Sequence, residues 1–212
     1  MGKAKMQHEV INQGAEAIIS RENDKVIKRR ISKSYRIKEI DEKIRKLRTR
    51  SEGKILEKAE KLIPIPRIIK VGEKEKEIVM EFIKGTRLSD CLEEFPAGKQ
   101  EKICEETGES IAKLHEAGII HGDLTPANMI LDEKTGKVYF VDFGLGFISI
   151  KLEDKAVDLH LLKEALEAGF ASEWERLFNA VKKGYTKSYF ESEKVLERLE
   201  AVEKRGRYKQ GS

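Results

Sequence analysis

Three side chains between residues 119 and 146 have types and spacing that suit chemistry: Asp123, Asn128 and Asp142. Asp123 closes the run Ile119-Ile120-His121-Gly122-Asp123. Asn128 stands just before Met129-Ile130-Leu131, and Asp142 follows the apolar stretch 138–141 and opens Asp142-Phe143-Gly144. Apolar runs this short read as buried strands, and polar residues at their ends put all three side chains on one rim of a hairpin. Two carboxylates and a carboxamide are hard oxygen donors. They suit Mg2+, which binds a few carboxylates together with phosphate oxygens. The chemistry they could carry is phosphoryl transfer, in which the protein contributes position and charge and little covalent work. The plainer alternative is a hairpin whose acidic residues only cap its turns. A lone Asp-Phe-Gly or His-Gly-Asp would not weigh against it; the two in this order, with Asn128 between them, do.

Such a rim has to be held by the rest of the chain. Residues 8–31 read as a small antiparallel sheet, with a turn over Gln13-Gly14-Ala15-Glu16-Ala17 between strands at 9–11 and 18–20. Small residues around Gly14, Ala15, Glu16 and Ala17 would let backbone N–H groups approach phosphate oxygens. With one glycine, the turn alone is no more than an ordinary hairpin turn. In the strand Asp24-Lys25-Val26-Ile27-Lys28-Arg29, Lys28 shares a face with Val26, and Lys25, Arg29 and Arg30 are competing cations. Residues 36–62 are helical by period: Ile37, Ile40, Ile44, Leu47, Ile55, Leu56, Ala59 and Leu62 recur at steps of three and four. Glu52 borders this stripe, while Glu57 and Glu60 face elsewhere. Pro64 and Pro66 end the helix. A second hairpin over 67–72 and 78–80 runs on through Glu81-Phe82-Ile83-Lys84 into Gly85, a glycine-marked linker. Helices are expected to start at 88–92 and to span 99–117, the latter ending at Gly118.

The chain has 212 residues, which suits one domain or a compact two-lobed one. Residues 25–61 hold fifteen Lys and Arg against six Asp and Glu, a net +9 in a chain of net +4, so the remainder is acidic. A basic helix face of this kind can follow a nucleic-acid backbone, or be no more than a solvated surface. Cys91 and Cys104 have neither metal-ligand nor disulfide spacing, which points to a reducing compartment. No run is long and apolar enough to span a membrane, and no signal peptide is visible, so a cytoplasmic protein with no membrane partner is expected.

Taken in order, these features resemble the protein-kinase-like fold over about residues 8–190. More narrowly, the chain resembles the small atypical kinases of the KEOPS complex. Carrying this are Gln13-Gly14-Ala15-Glu16-Ala17, Lys33-Ser34-Tyr35-Arg36, Arg48-Thr49-Arg50-Ser51-Glu52, His121-Gly122-Asp123-Leu124-Thr125, Asp142-Phe143-Gly144-Leu145-Gly146 and Arg205-Gly206-Arg207-Tyr208. The resemblance implies an α+β, minimal two-lobed fold: an N-lobe of sheet and basic helix over 1–82, a reduced helical C-lobe over 83–203 and a basic tail over 204–212. It implies a serine/threonine protein kinase and ATPase. Asp123 would be the catalytic base, and Asn128 and Asp142 would hold Mg2+, or Mn2+ in its place. Lys28, braced by Glu52, would hold the phosphates of ATP beside the turn at Gly14–17. Backbone groups of Glu81 and Ile83 would pair with adenine, Ile130 would pack beneath it, and Asp158 would brace the catalytic loop. Implied partners are the threonylcarbamoyl transferase subunit and a small regulatory subunit of the complex, with tRNA reached through it. Arg205, Arg207 and Lys209 would contact partner or tRNA.

Three departures bear on substrate. Gly122 replaces the usual arginine of His-Arg-Asp, Thr125 stands where many such kinases have a lysine, and no Ala-Pro-Glu follows Asp142. All three weigh against broad protein phosphorylation and leave ATP hydrolysis intact. Two other classes compete. A small-molecule phosphotransferase of the aminoglycoside or choline kinase kind also uses His-Gly-Asp, but the chain after residue 158 is short for its substrate-binding insert. A non-catalytic scaffold would not need every catalytic position filled.

Overall fold

The computed structural model describes the backbone of residues 8–209 and side chains from 9 to 205. The N-terminal part is a five-stranded antiparallel sheet in the order β1-β2-β3-β5-β4. Its strands are β1 (His8–Gln13), β2 (Ala17–Glu22), β3 (Lys25–Arg30), β4 (Ile68–Gly72) and β5 (Glu77–Glu81). β3 is central, so Lys28 is flanked on both sides, by Ile19 of β2 and Ile78 of β5. Alternation puts Lys28 and Arg30 on one buried face, with the exposed Arg29 on the other.

That face is covered by α1 (Lys38–Ala59), which buries Glu52, Gly53, Ile55, Leu56 and Ala59. The helix stops at Ala59, short of the expected 62. The amides of Leu62 and Ile63 both fold back on the Ala59 carbonyl, at 2.9 and 3.0 Å. Ile63 precedes Pro64, and the ring of a following proline disfavours the helical conformation.

The second half begins at β6 (Gly85–Arg87), which pairs with β8 (Met129–Asp132), itself paired with β9 (Val138–Phe140). A second small sheet joins β7 (Ile119–Ile120) to β10 (Phe147–Ile148). Around these stand α2 (Leu88–Cys91), α3 (Ala97–Glu116), α4 (Leu152–Gly169), α5 (Trp174–Ser188) and α6 (Ser192–Lys209). α3 and α5 cross backbone to backbone: a Cβ at Gly184 would sit 1.9 Å from the Glu105 carbonyl. That close crossing brings Tyr185 against His115, with ring centroids 5.5 Å apart.

One buried apolar cluster runs from Ile55, Leu56 and Ile78 through Phe143 to Leu159 and Tyr185. Burial of such side chains supplies the main favourable free energy of folding. Cys91 and Cys104 are free and buried within it, and burial pushes the Cys104 thiol up to about 12. No helix among the described residues is long and apolar enough to cross a membrane. The basic segment expected as a tail from 204 continues α6 as helix to Lys209. Arg205 there pairs with Glu153 of α4 at 2.8 Å, while the side chains of Arg207 and Lys209 lie outside the described ones.

Candidate active site

The loop after β7 is held from below by Asp158 of α4. Its Oδ2 accepts the His121 N–H at 2.8 Å and its Oδ1 accepts the Gly122 N–H at 2.9 Å. Asp158 is 1% exposed, so these charge-assisted bonds satisfy two loop amides and the carboxylate together. The same carboxylate lies 3.1 Å from His115 Nε2, and His115 Nδ1 lies 2.9 Å from the Tyr185 hydroxyl. A carboxylate only accepts, so Nε2 carries the proton and Nδ1 accepts from Tyr185. Burial pushes the Tyr185 phenol well above its ordinary range, which keeps it protonated as a donor.

Gly122 has φ +80°, and a Cβ there would lie 2.4 Å from the Leu145 carbonyl. An arginine, or any side chain, fits neither the torsion nor the space. The departure from His-Arg-Asp thus has a local cause: the segment after Asp142 packs directly on this residue.

His121 stitches the two loops together. Its ring lies 4.4 Å from that of Phe143, Nε2 donates to the Val141 carbonyl at 3.1 Å, and Nδ1 accepts the Asp123 N–H at 3.3 Å. Burial depresses its pKa, so the ring is neutral.

Asn128 donates from Nδ2 to Asp123 twice, to the carboxylate Oδ2 and to the backbone carbonyl, both at 2.9 Å. The Asn128 backbone carbonyl accepts the Val141 N–H at 3.0 Å, which brings Asp142 alongside. Asp142 has φ +63°, a left-handed conformation uncommon for a side-chain-bearing residue and concentrated at functional sites. Burial would raise its carboxyl pKa, but Lys28 outweighs this and holds it below the usual range.

Lys28 Nζ lies 2.6 Å from both Glu52 Oε1 and Asp142 Oδ1. Burial would lower the lysine pKa, and the two carboxylates outweigh burial and raise it. Glu52 has a second cation, unforeseen in the sequence: Arg30 Nη2 lies 2.5 Å from its Oε2. The two-residue step from Lys28 to Arg30 on one strand face was the signal available.

Part of this constellation borders a cleft of about 240 Å3 between the two halves, whose lining does not include His121, Asp123 or Asp158. Ile19 and Val26 line one side, Ile130 and Val141 the other, and Met80, Glu81, Phe82 and Ile83 the back. Lys28, Glu52, Asn128 and Asp142 all line it too. The Glu81 N–H is already given to the Arg67 carbonyl at 3.0 Å. The turn at Gly14, Ala15, Glu16 and Ala17 is not in this lining; Glu16 leans away, to Arg48 at 2.6 Å. A larger groove, about 450 Å3, lies among α4, α5 and α6 and holds none of the residues above.

The donor set fits Mg2+. Asn128 spends its amino group on Asp123, which leaves its Oδ1 as a neutral oxygen on the wall that carries Asp142. Among the described residues no three His, Cys, Asp or Glu gather as a metal cage.

Residues 9–157 match the protein kinase domain family. A relative named KEOPS complex subunit Bud32, from Pyrococcus abyssi, is 47% identical over 190 residues, covering 88% of this chain and 86% of that one. A probable serine/threonine-protein kinase BUD32 homolog from Archaeoglobus fulgidus is 43% identical, over 92% of this chain and 94% of the relative. A probable bifunctional tRNA threonylcarbamoyladenosine biosynthesis protein from Methanobrevibacter smithii is 40% identical; the match covers 96% of this chain but 37% of the longer protein. Among solved structures, the bifunctional kinase-methyltransferase WbdD superposes with a TM-score of 0.55 at 20% identity. That match spans 81% of this chain and 43% of WbdD, and it bears on fold alone.

Proposed function

Because the chain belongs to the protein kinase family, and within it to the Bud32 kinases of the KEOPS complex, we propose that it splits the γ-phosphate from ATP in support of tRNA threonylcarbamoyladenosine synthesis. The observation that carries this is the bridge of Lys28 to Glu52 and Asp142, across the cleft rim from the Asn128–Asp123 pair.

Adenine lies between Ile19 and Val26 on one side and Ile130 on the other, facing the backbone groups at Ile83, which bond no backbone group among the described residues. Lys28 turns from Asp142 to the phosphates. Asn128 Oδ1 and Asp142 would hold Mg2+, which when bound would supply positive charge against the phosphates. Asn128 orients the Asp123 carboxylate, leaving Oδ1 to take the proton of the attacking hydroxyl or water. Asp158 and His121 fix the loop that carries Asp123, so the base is positioned before substrate arrives.

The acceptor is chiefly water. Only nine residues separate Asp142 from α4, and β10 within them pairs back on β7. This leaves little surface on which to lay a peptide. The complex's threonylcarbamoyl transferase subunit and a small regulatory subunit are the partners, and tRNA is reached through them.

The test follows labelled γ-phosphate from Mg-ATP. Free and protein-bound label are counted separately, with and without the transferase subunit and tRNA, for wild type and Asp142→Ala. Mostly free phosphate, rising with transferase and tRNA and lost in the variant, is the expected result. Label chiefly on protein and indifferent to tRNA would make this a protein kinase first, and no turnover despite nucleotide binding would make it a scaffold.

A further inference from the structure

Among the described residues, five charged side chains line the cleft: Lys28, Glu52, Glu81, Arg87 and Asp142. Four of them are engaged. Lys28 lies 2.6 Å from both Glu52 and Asp142, and Glu81 accepts the Arg67 N–H at 3.1 Å. The fifth, Arg87, closes β6 and is exposed. Its guanidinium has no ion pair and no hydrogen bond among the described residues.

The sheet register says where this cation points. Arg87 stands directly opposite Ile130 in the antiparallel pair of β6 and β8. Residues opposed in this way project to the same face, with Cβ atoms about 5 Å apart. Arg87 therefore rises beside the floor on which the base rests. β6 is one edge of the order β6-β8-β9, and Val141 and Asp142 follow β9 at the other. With the base over Ile130 and the phosphates at Lys28 and Asp142, the sugar spans the gap between them. On a ribose, base and 5′ phosphates leave from two corners, and the 2′ and 3′ oxygens share the edge that joins those corners. The sheet above offers that edge Ile11, Ile19 and Val26, with Asn12 as its neutral amide, whereas the floor offers Arg87. Ala127 completes the same corner and brings no charge.

A hydroxyl gives a guanidinium one neutral acceptor and leaves its charge unanswered. A phosphate matches it, because the planar fork donates two parallel N–H bonds to a phosphate, and such charge-assisted bonds are the stronger kind. The carboxylates of the cleft do not oppose an anion there: Glu52 and Asp142 are met by Lys28 and Arg30, and Glu81 by Arg67.

We propose that Arg87 makes the sugar end of the cleft a second anion subsite, so that the cleft binds adenine nucleotides phosphorylated on the ribose as well as ATP. Such a nucleotide without a γ-phosphate fills the cleft and has nothing to transfer, so it acts as a competitive inhibitor. This rests on the reading of the cleft as a nucleotide site and adds a class of ligand to it.

The test is displacement calorimetry against Mg-ADP at low salt. AMP is compared with adenosine 2′,5′-bisphosphate and adenosine 3′,5′-bisphosphate. Each variant is scored by its own ratio of bisphosphate to AMP affinity, so a general loss of nucleotide binding cancels. In wild type at least one bisphosphate binds about fivefold tighter than AMP, the size expected of an exposed pair that solvent screens. Arg87→Ala brings that ratio to about one, Arg87→Glu takes it below one, and Arg87→Lys keeps part of it, since the charge stays and the fork is lost. The favoured bisphosphate also inhibits phosphate release in competition with ATP, and more strongly in wild type than in Arg87→Ala. Bisphosphates that bind no better than AMP, or a preference that survives Arg87→Glu, would overturn the proposal and leave the cleft a nucleotide site. A wild type that binds no Mg-ADP would overturn the reading of the cleft, and the proposal with it.

Discussion

Replacing Asp158 by asparagine keeps the shape of the side chain and removes its charge. With its single carbonyl oxygen at the Oδ2 position, asparagine can still accept from His121 N–H and His115. Its amino group then faces the Gly122 N–H, donor against donor, across 2.9 Å. A buried donor left unmet costs about 1–3 kcal/mol, and two bonds that lose charge assistance cost roughly 1 kcal/mol each. Part is returned, because no charge is buried. We expect a net loss of about 3 kcal/mol, which for a domain of this size lowers Tm by roughly 6–12 °C. Turnover should fall further than stability suggests. Asp123 follows the freed Gly122 directly, and a displacement of about 1 Å at a reacting group can cost on the order of 100-fold in rate. Asp158 does not line the cleft, so Mg-ADP affinity should hold within about threefold. Calorimetric unfolding, nucleotide titration and phosphate release, the last under the conditions that activate wild type, read the three effects apart. A variant that melts within about 2 °C of wild type, or keeps its turnover within about threefold, would refute the view that Asp158 holds the catalytic loop.

Other changes test neighbouring claims. Gly122→Arg restores the residue usual at this position in protein kinases, yet it should cut turnover by more than about tenfold. The left-handed torsion costs a side chain roughly 1–2 kcal/mol and the Leu145 carbonyl must also move; a fully active variant would contradict the packing described. Burial holds the His121 pKa below its ordinary 6.5, so below pH 6.5 the unfolded chain takes up a proton that the folded chain refuses. Stability is whole above that pH and should decline as pH falls toward the folded pKa, by up to about 1.4 kcal/mol per unit. Tm against pH should show this slope, and His121→Gln should flatten it. Asn128→Asp sets an acceptor where a donor now meets Asp123 at 2.9 Å. Phosphate release should drop by about 100-fold or more while the fold survives, since the site is at the cleft rim; unimpaired release would remove Asn128 from the orienting role.

The sequence made neighbourhoods legible more readily than contacts. Asp123, Asn128 and Asp142 lie within twenty residues, and short apolar runs bring such residues together with little choice. The strand period placed Lys28 on a face, but it could not say that Arg30, on the same face, would share Glu52. Both are cations, and only the reach of α1 decides between them. The turn at Gly14–Ala17 was legible as a turn and not in its lean, because Glu16 is drawn to Arg48, 32 residues on. The His115–Tyr185 bond joins residues 70 apart and depends on a helix crossing that no local pattern announces. Helix α1 ended early through carbonyl competition at Ala59, a detail finer than the apolar period.

The pairing of β7 with β10 has a consequence for how the site comes and goes. Ile119 and Ile120 meet Ile148 and Phe147, so the stretch carrying Asp123, Asn128 and Asp142 is a closed loop clasped at its own ends. The entropy of closing such a loop grows only slowly with its length, so holding the whole stretch between two clasped ends costs little more than closing a shorter one. The catalytic apparatus is thus a self-contained lasso. It should open as one cooperative unit, all its amides exposed together, instead of fraying group by group.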